Sequence, residues 1–282
     1  MMTLFQAIVL GIIQGITEFL PISSTAHLTL AGKFFGLIDP AHPEEWTAFI
    51  AIIQLGTVAA VLLYFAKDIL TMTEDIFRDL KKESTDGTSR WSHHSRLAGQ
   101  IVLGTIPVVV IGLAFKKIIE GYLTKEITTI ATSMIALALV LLWAEKAGKR
   151  NRDQNTSTWK DGLIVGCAQA LALIPGSSRS GTTITAGLFL GFTRESAARF
   201  SFLLSIPAVL ASGLYELYRI RHEIGHIGLL STLVATIVSG VVGYATIAFL
   251  FRYLKTHTTF LFIFYRIALG VLLWGLFLSG IQ

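Results

Sequence analysis

Nine residues, Pro175-Gly176-Ser177-Ser178-Arg179-Ser180-Gly181-Thr182-Thr183, place five hydroxyls, one fixed cation and two glycines between the apolar runs Leu163 to Ile174 and Ile184 to Phe192. Glycine lets a backbone turn tightly and approach a ligand closely. Hydroxyls and backbone N–H groups donate hydrogen bonds, and a guanidinium pairs bidentately with phosphate oxygens. A helix beginning near Ser178 adds a partial positive charge at the same spot. The parts suit a phosphate group, with Gly176, Ser178, Arg179, Ser180, Thr182 and Thr183 as its candidate cradle. The plain alternative is a Gly/Ser loop with a surface Arg. The flanks argue against it, because they are apolar enough for a membrane, where unpaired polar groups are expensive.

A second set of reactive side chains lies near the N-terminus. Gln14 and Glu18 are four apart and share one face of a helix. Pro21-Ile22-Ser23-Ser24-Thr25 breaks that helix, and His27 follows the break. Glu18 and Gln14 can bind Mg²⁺ or Ca²⁺ through oxygen, or Glu18 can accept a proton. Ser24 can serve as a nucleophile or as a phosphate donor, and His27 as a nucleophile or general acid/base. With Arg179, Ser178, Thr182 and Thr183 stabilising anionic oxygens, the two sets have the makings of a phosphoanhydride-cleaving site. Each has a structural reading too. Glu18 can be a buried partner of Arg179 without chemistry, His27 an interfacial imidazole, and Ser23, Ser24 and Thr25 caps of the next helix. The Gly11/Gly15 spacing points to close helix packing rather than ligand contact.

The elements that carry these residues are those of a membrane protein. Of 282 residues 53% are hydrophobic and only 15% charged, with mean hydropathy +0.66. Six runs are long enough to cross a bilayer: Phe49 to Phe65, Ile101 to Phe115, Ile127 to Trp143, Phe200 to Tyr218, Leu229 to Phe251 and Phe260 to Leu278. No soluble stretch is long enough for a second core, so residues 1–282 form one polytopic domain. The net charge of +5 sits in loops, as orientation signals do, and calls for no nucleic acid. Cys167 is the only cysteine, so no intrachain disulfide forms. The N-terminus lacks the basic region and cleavage site of a signal peptide.

Met1 to Leu20 and Ala26 to Leu37 are each too short to span comfortably, and read as two half-helices that dip into one face. The segment Asp68 to Lys82 has apolar residues at helical spacing and reads as an interfacial helix. The most basic loops contain Arg78, Lys81, Lys82, Arg90 and Arg96, and then Lys146, Lys149, Arg150, Arg152 and Lys160. Both fall on one side, assigned here to the cytoplasm.

The second half repeats the plan: a broken pair around the central motif, then three spans. Pro21-Ile22-Ser23-Ser24-Thr25 matches Pro175-Gly176-Ser177-Ser178-Arg179, and this register pairs Thr25 with Arg179, His27 with Gly181 and Glu18 with Ala172. Repeat one is then 1–150 and repeat two 155–282. Three spans per half is an odd number, so the second half starts on the opposite face. The expected fold is all-α and integral to the membrane. It has inverted-topology repeats, each a re-entrant broken-helix pair plus three transmembrane helices.

The stretch Gln14-Gly15-Ile16-Thr17-Glu18-Phe19-Leu20-Pro21-Ile22-Ser23-Ser24-Thr25-Ala26-His27 and the loop Pro175 to Thr183 closely resemble the two signatures of the undecaprenyl-diphosphate phosphatases, the bacitracin-resistance membrane enzymes of bacteria. These signatures are an [E/Q]xxxE helix and a PGxSRSxxT loop. Ile53-Gln54-Leu55-Gly56 and Phe200-Ser201-Phe202-Leu203-Leu204 also look like the family, and the similarity covers essentially the whole chain. The resemblance implies removal of the terminal phosphate from a C55 isoprenyl diphosphate at the outer, periplasmic face of the inner membrane. The product is the lipid carrier monophosphate of cell-wall synthesis. It also implies a divalent cation, Mg²⁺ or Ca²⁺, and bacitracin as a competitor that binds the substrate. Membrane lipids surround such a protein, and a homodimer is compatible with it. By position, the resemblance makes Gln14, Glu18, Ser24, His27, Ser178, Arg179 and Thr183 the expected site residues, with Gln54 a neighbour. Gln14 stands where many relatives have Glu. A neutral amide accepts no proton, so any essential carboxylate here is Glu18. The alternative is a polyprenyl-phosphate transporter or flippase with the same cradle, since interrupted inverted repeats are a transporter architecture. Glu18 and His27 favour the enzyme, because a binding site gains little from a carboxylate beside an anion.

Overall fold

A computed structural model of the chain describes residues 2–81, 91–121, 126–219 and 228–279. Lys82 and Arg90 of the long basic segment lie outside the described residues. Among those residues the structure is helical, apart from loops, short 3₁₀ turns and one isolated bridge between Arg152 and Phe192. The first broken pair is α1 (Leu4–Thr17) and α2 (Ser24–Phe34). It is followed by α3 (Pro43–Tyr64), α4 (Ala66–Lys81), α5 (His93–Ala114), the short α6 (Lys116–Glu120) and α7 (Ile127–Ala147). The second pair is α8 (Trp159–Ala170) and α9 (Arg179–Phe189), followed by α10 (Arg194–Arg219), α11 (Leu229–Thr256) and α12 (Phe260–Leu278). Six of these, α3, α5, α7, α10, α11 and α12, are long and apolar enough to cross a membrane. They are the six spans expected from the apolar runs.

The outer surface carries Phe5, Leu63, Val102, Leu113, Trp143, Val241 and Phe264, all well exposed. A surface this apolar faces lipid rather than water. Helix α4 is inverted relative to a soluble amphipathic helix. It exposes Leu70 and Phe77 and buries Asp75 and Asp79, which accept hydrogen bonds from Ser92, His94 and Ser95 at the start of α5.

Hydrophobic area alone does not drive helices together in lipid; close packing does. Helix α1 lies on α11, and Gly11 and Gly15 sit so close to Ala235, Val238 and Val242 that a Cβ at either would overlap them. This is the close approach that their spacing predicted. Helix α8 lies on α5 in the same way, with Gly166 against Gly104. Helix α3 packs on α10 and α11, and α7 on α12. Phe19, just before the first break, lies at the centre of the main core and meets Phe202 edge-on at 5.1 Å.

The caps correct the register of the repeat. Thr3 and Thr158 both N-cap their helices with full capping boxes, through Gln6 and Asp161. Ser23 and Ser178 both N-cap at positive φ, 77° and 68°, and each side chain accepts from the backbone N–H three residues on. Gly36 and Gly191 both end their helices at positive φ, and Leu37 N–H to Gly32 O repeats as Phe192 N–H to Gly187 O. Every one of these pairs is 155 positions apart, whereas the Pro21/Pro175 match is 154 apart. At the corrected register Gly11, Gln14, Ala31, Gly32 and Phe34 face identical residues: Gly166, Gln169, Ala186, Gly187 and Phe189. The counterpart of Ser24 is therefore Arg179, that of His27 is Thr182, and that of Glu18 is Leu173.

Candidate active site

The two breaks meet. Ser180 Oγ, in the first turn of α9, donates to Leu20 O at the end of the first half-helix, 3.1 Å away. The N-termini of α2 and α9 thus lie side by side, and their partial positive charges add. Glu18 sits between them, 6% exposed. Its Oε1 accepts from Arg179 Nη2 at 2.8 Å, and its Oε2 accepts from Ser24 Oγ at 2.8 Å and Gln14 Nε2 at 3.1 Å. Arg179 also donates to Ser201 O at 3.3 Å, which holds the guanidinium from the side of α10. A buried carboxylate is tolerated only when paired and hydrogen-bonded, and all three donors here meet that need. The pair anticipated between Glu18 and Arg179 is present. It carries a serine hydroxyl on the carboxylate oxygen that Arg179 leaves free.

The remaining expected residues are placed as follows. Ser178 caps α9, its Oγ accepting from Gly181 N–H at 3.1 Å. Gly176 adopts φ 85° in a turn tucked against α7, where Ser133 Oγ donates to Pro175 O. Thr182 and Thr183 both donate to Arg179 O, at 3.0 and 2.7 Å, and Thr183 also pairs with Ser201 Oγ at 2.6 Å. The Ser180, Thr182 and Thr183 hydroxyls thus hold the tip of the second half together. Gln54 lines a cavity of about 210 Å³ beside the site, with Thr25, Trp46 and Pro175. His27 stands apart from the carboxylate. Its Nδ1 lies 2.7 Å from Ser23 O, and its Nε2 lies 2.6 Å from the Tyr265 hydroxyl.

A divalent cation needs oxygen donors. Gln14 is fully buried, and its Oε1 has no hydrogen-bond partner while its Nε2 is spent on Glu18. One carboxylate and one free amide oxygen suit a hard cation that completes its shell with substrate phosphates and water. Among the described residues no group of three His, Cys, Asp or Glu gathers. Gln14 Oε1 and Glu18 are thus the residues here that could hold such an ion.

Sequence reading passed over Arg266. It is fully buried in the last span, and its Nη2 donates to Ser177 O at 2.8 Å and Gly176 O at 3.2 Å. Its signal was present: an ionisable residue inside a membrane span marks a functional site by default.

A polytopic helical membrane protein with an Arg–Glu–Ser cluster built on a buried carboxylate between two half-helix tips is the class that fold and site define. A family model described as bacitracin resistance protein BacA matches residues 7–272. The undecaprenyl-diphosphatase of Syntrophobacter fumaroxidans is 51% identical over 286 residues, covering 99% of this chain and all of the relative. That of Chloroherpeton thalassium is 52% identical over 288 residues, with 99% and 98% covered, and that of Myxococcus xanthus is 49% identical over 279 residues, with 99% and 91% covered. The chain belongs to the BacA family.

Proposed function

We propose that this protein hydrolyses undecaprenyl diphosphate to undecaprenyl phosphate and inorganic phosphate, recycling the lipid carrier of cell-wall synthesis. The observation that carries the reading is the Ser24 hydroxyl at 2.8 Å from the same carboxylate that Arg179 holds. A hydroxyl on a carboxylate is an activated nucleophile, and a guanidinium beside it is a ready partner for the phosphoryl oxygens. Ser24 Oγ attacks the terminal phosphorus as Glu18 takes its proton, and the bond to the bridging oxygen breaks. The lipid monophosphate leaves with that electron pair. That proton leaves Glu18 with the departing lipid monophosphate; water then cleaves the phosphoserine, giving a proton to the freed carboxylate, which returns it to Ser24 Oγ as phosphate departs. Arg179 and the paired helix N-termini hold the anionic oxygens throughout. Gln14 Oε1 and Glu18 are the residues that would hold a Mg²⁺ or Ca²⁺ ion, whose chemistry is to neutralise diphosphate charge.

With the basic loops cytoplasmic, the first broken pair enters from outside and the second from inside, as inverted-topology repeats. The site then opens to the outer face of the plasma membrane, and both chain ends lie there. Bacitracin would act here by sequestering the diphosphate substrate. The test is phosphate release from farnesyl or longer diphosphates in detergent, with and without EDTA. Wild-type protein turns over, Ser24→Ala loses at least about a hundredfold of that rate, and radiolabel from a terminal-³²P substrate is trapped on Ser24 after acid quench. Turnover in Ser24→Ala near the wild-type rate overturns the assigned nucleophile.

One observation favours a second reading, lipid transport: two interrupted half-helix pairs, one from each half, meet tip to tip at Ser180 and Leu20, as broken helices do at the repeat interface of transporters. Phosphate release in detergent, where transport is undefined, separates the two.

A further inference from the structure

Both half-helix tips are strained, since Ser23 and Ser178 hold positive φ without being glycine. Such turns persist only where neighbours fix them. Ser133 of α7 holds one of the turns, at Pro175 O, but a single helix, α12, braces both. Tyr265 and Arg266 are consecutive on α12. Tyr265 meets His27, whose ring in turn lies on Ser23 O; Arg266 grips Gly176 O and Ser177 O, just before Ser178.

A carbonyl oxygen only accepts, so the 2.7 Å contact with Ser23 O puts the hydrogen on His27 Nδ1. The bare Nε2 then accepts from the Tyr265 hydroxyl, and the two rings stack at 5.6 Å with 10° between planes. Neither imidazole nitrogen is directed at Glu18 or Arg179. Resting on the hydrolase reading above, we infer that Tyr265 is a positioning residue: through His27 it fixes the turn that presents Ser24 to Glu18, while its neighbour Arg266 fixes the turn that presents Arg179. His27 then acts through its Nδ1–H on the backbone rather than as nucleophile or proton shuttle. A displacement of about 1 Å at such a turn costs on the order of 10²-fold in rate, so the brace matters although it touches no substrate.

The two nitrogens of His27 allow the test. Asparagine places an N–H donor near the position of Nδ1, and glutamine reaches the position of Nε2. His27→Asn is expected to turn over at least about tenfold faster than His27→Gln. Tyr265→Phe, a conservative change at a half-exposed position, lowers kcat by about tenfold and leaves KM within about twofold, because alignment rather than binding is lost. In the His27→Asn background Tyr265→Phe adds nothing, since the contact it removes is already gone. Arg266→Gln lowers kcat likewise; should it fail to fold, Tyr265→Phe still decides. Independently of activity, ¹⁵N-histidine spectra of the wild type in micelles show the Nδ1–H tautomer at His27, and tautomer averaging in Tyr265→Phe. His27→Gln outperforming His27→Asn, or an unchanged spectrum in Tyr265→Phe, overturns the inference. Absence of phosphate release by the wild type would instead fail the hydrolase reading, with the spectra still reporting on the brace.

Discussion

Ser24 and Arg179 occupy the same position in two copies of one motif, the first residue of α2 and of α9, and both donate to Glu18 at 2.8 Å. A single carboxylate thus receives a hydroxyl from one half of the chain and a guanidinium from the other. The two copies have diverged so that one supplies a nucleophile-type group and the other a cation. The second half has Leu173 where the first has Glu18, so only one site is built.

Glu18→Gln removes the acceptor that three donors share. Arg179, only 12% exposed, is then left as a largely buried cation without its carboxylate. Losing one partner of a buried pair costs about 3–5 kcal/mol, so the melting temperature falls and turnover drops below detection. Gln14→Glu, which adds a second carboxylate, keeps activity and shifts the Mg²⁺ titration to lower concentration. Wild-type turnover and an unchanged metal curve in Glu18→Gln would reduce Glu18 to a structural partner.

Arg179→Lys keeps the charge and loses the fork. The guanidinium spans Glu18 on one nitrogen and Ser201 O on another, and a single ammonium cannot do both. Activity is expected to fall by about a hundredfold in protein that still elutes as a folded species. Near-normal phosphate release would mean that Arg179 contributes charge alone.

Much of this was legible in the sequence, for a physical reason. Membrane spans are long apolar runs, and a break with polar residues inside such a run has few explanations, so the six spans, the two broken pairs, and Glu18, Ser24 and Arg179 could be read directly. The repeat register was misread by one residue. Pro21 and Pro175 are the more conspicuous match, but proline marks the break only loosely, whereas the N-caps Ser23 and Ser178 mark the helix start. Aligning Gly11, Gln14 and Gly32 with Gly166, Gln169 and Gly187 would have given the right offset. Tyr265 and Arg266 were hidden because their partners lie 238 and about 90 positions away in sequence, and only the fold brings α12 to both tips.

Gly56 tests the packing that carries the site. Helix α3 crosses α11 there, and a Cβ on Gly56 would overlap Thr236 O and Ser239 Oγ, which itself donates to Ile53 O at 2.7 Å. Gly56→Ala is expected to destabilise the protein by about 1–3 kcal/mol, the range for overpacking. The loss appears in thermal unfolding in detergent, while the protein that remains folded turns over normally at low temperature. A melting temperature equal to that of the wild type would show that the two helices move apart freely.

Orientation in the membrane decides which leaflet supplies the substrate. The segment joining α7 to α8 is rich in Lys and Arg, while the α2–α3 loop carries Asp39 and the first turn of α3 carries Glu44 and Glu45. Short basic loops stay on the cytoplasmic side. The first broken pair, which holds Glu18 and Ser24, then opens outward. Cysteine scanning reads this directly, once Cys167 is changed to Ser to remove the one native thiol, which is exposed on α8. Asp39→Cys and Lys149→Cys both lie at exposed positions on the described chain. In intact cells a membrane-impermeant maleimide is expected to label Asp39→Cys, and to label Lys149→Cys only after the membrane is opened. Labelling of Lys149→Cys in sealed cells, with Asp39→Cys protected, would turn the molecule over and place the Ser24–Glu18–Arg179 cluster on the cytoplasmic side.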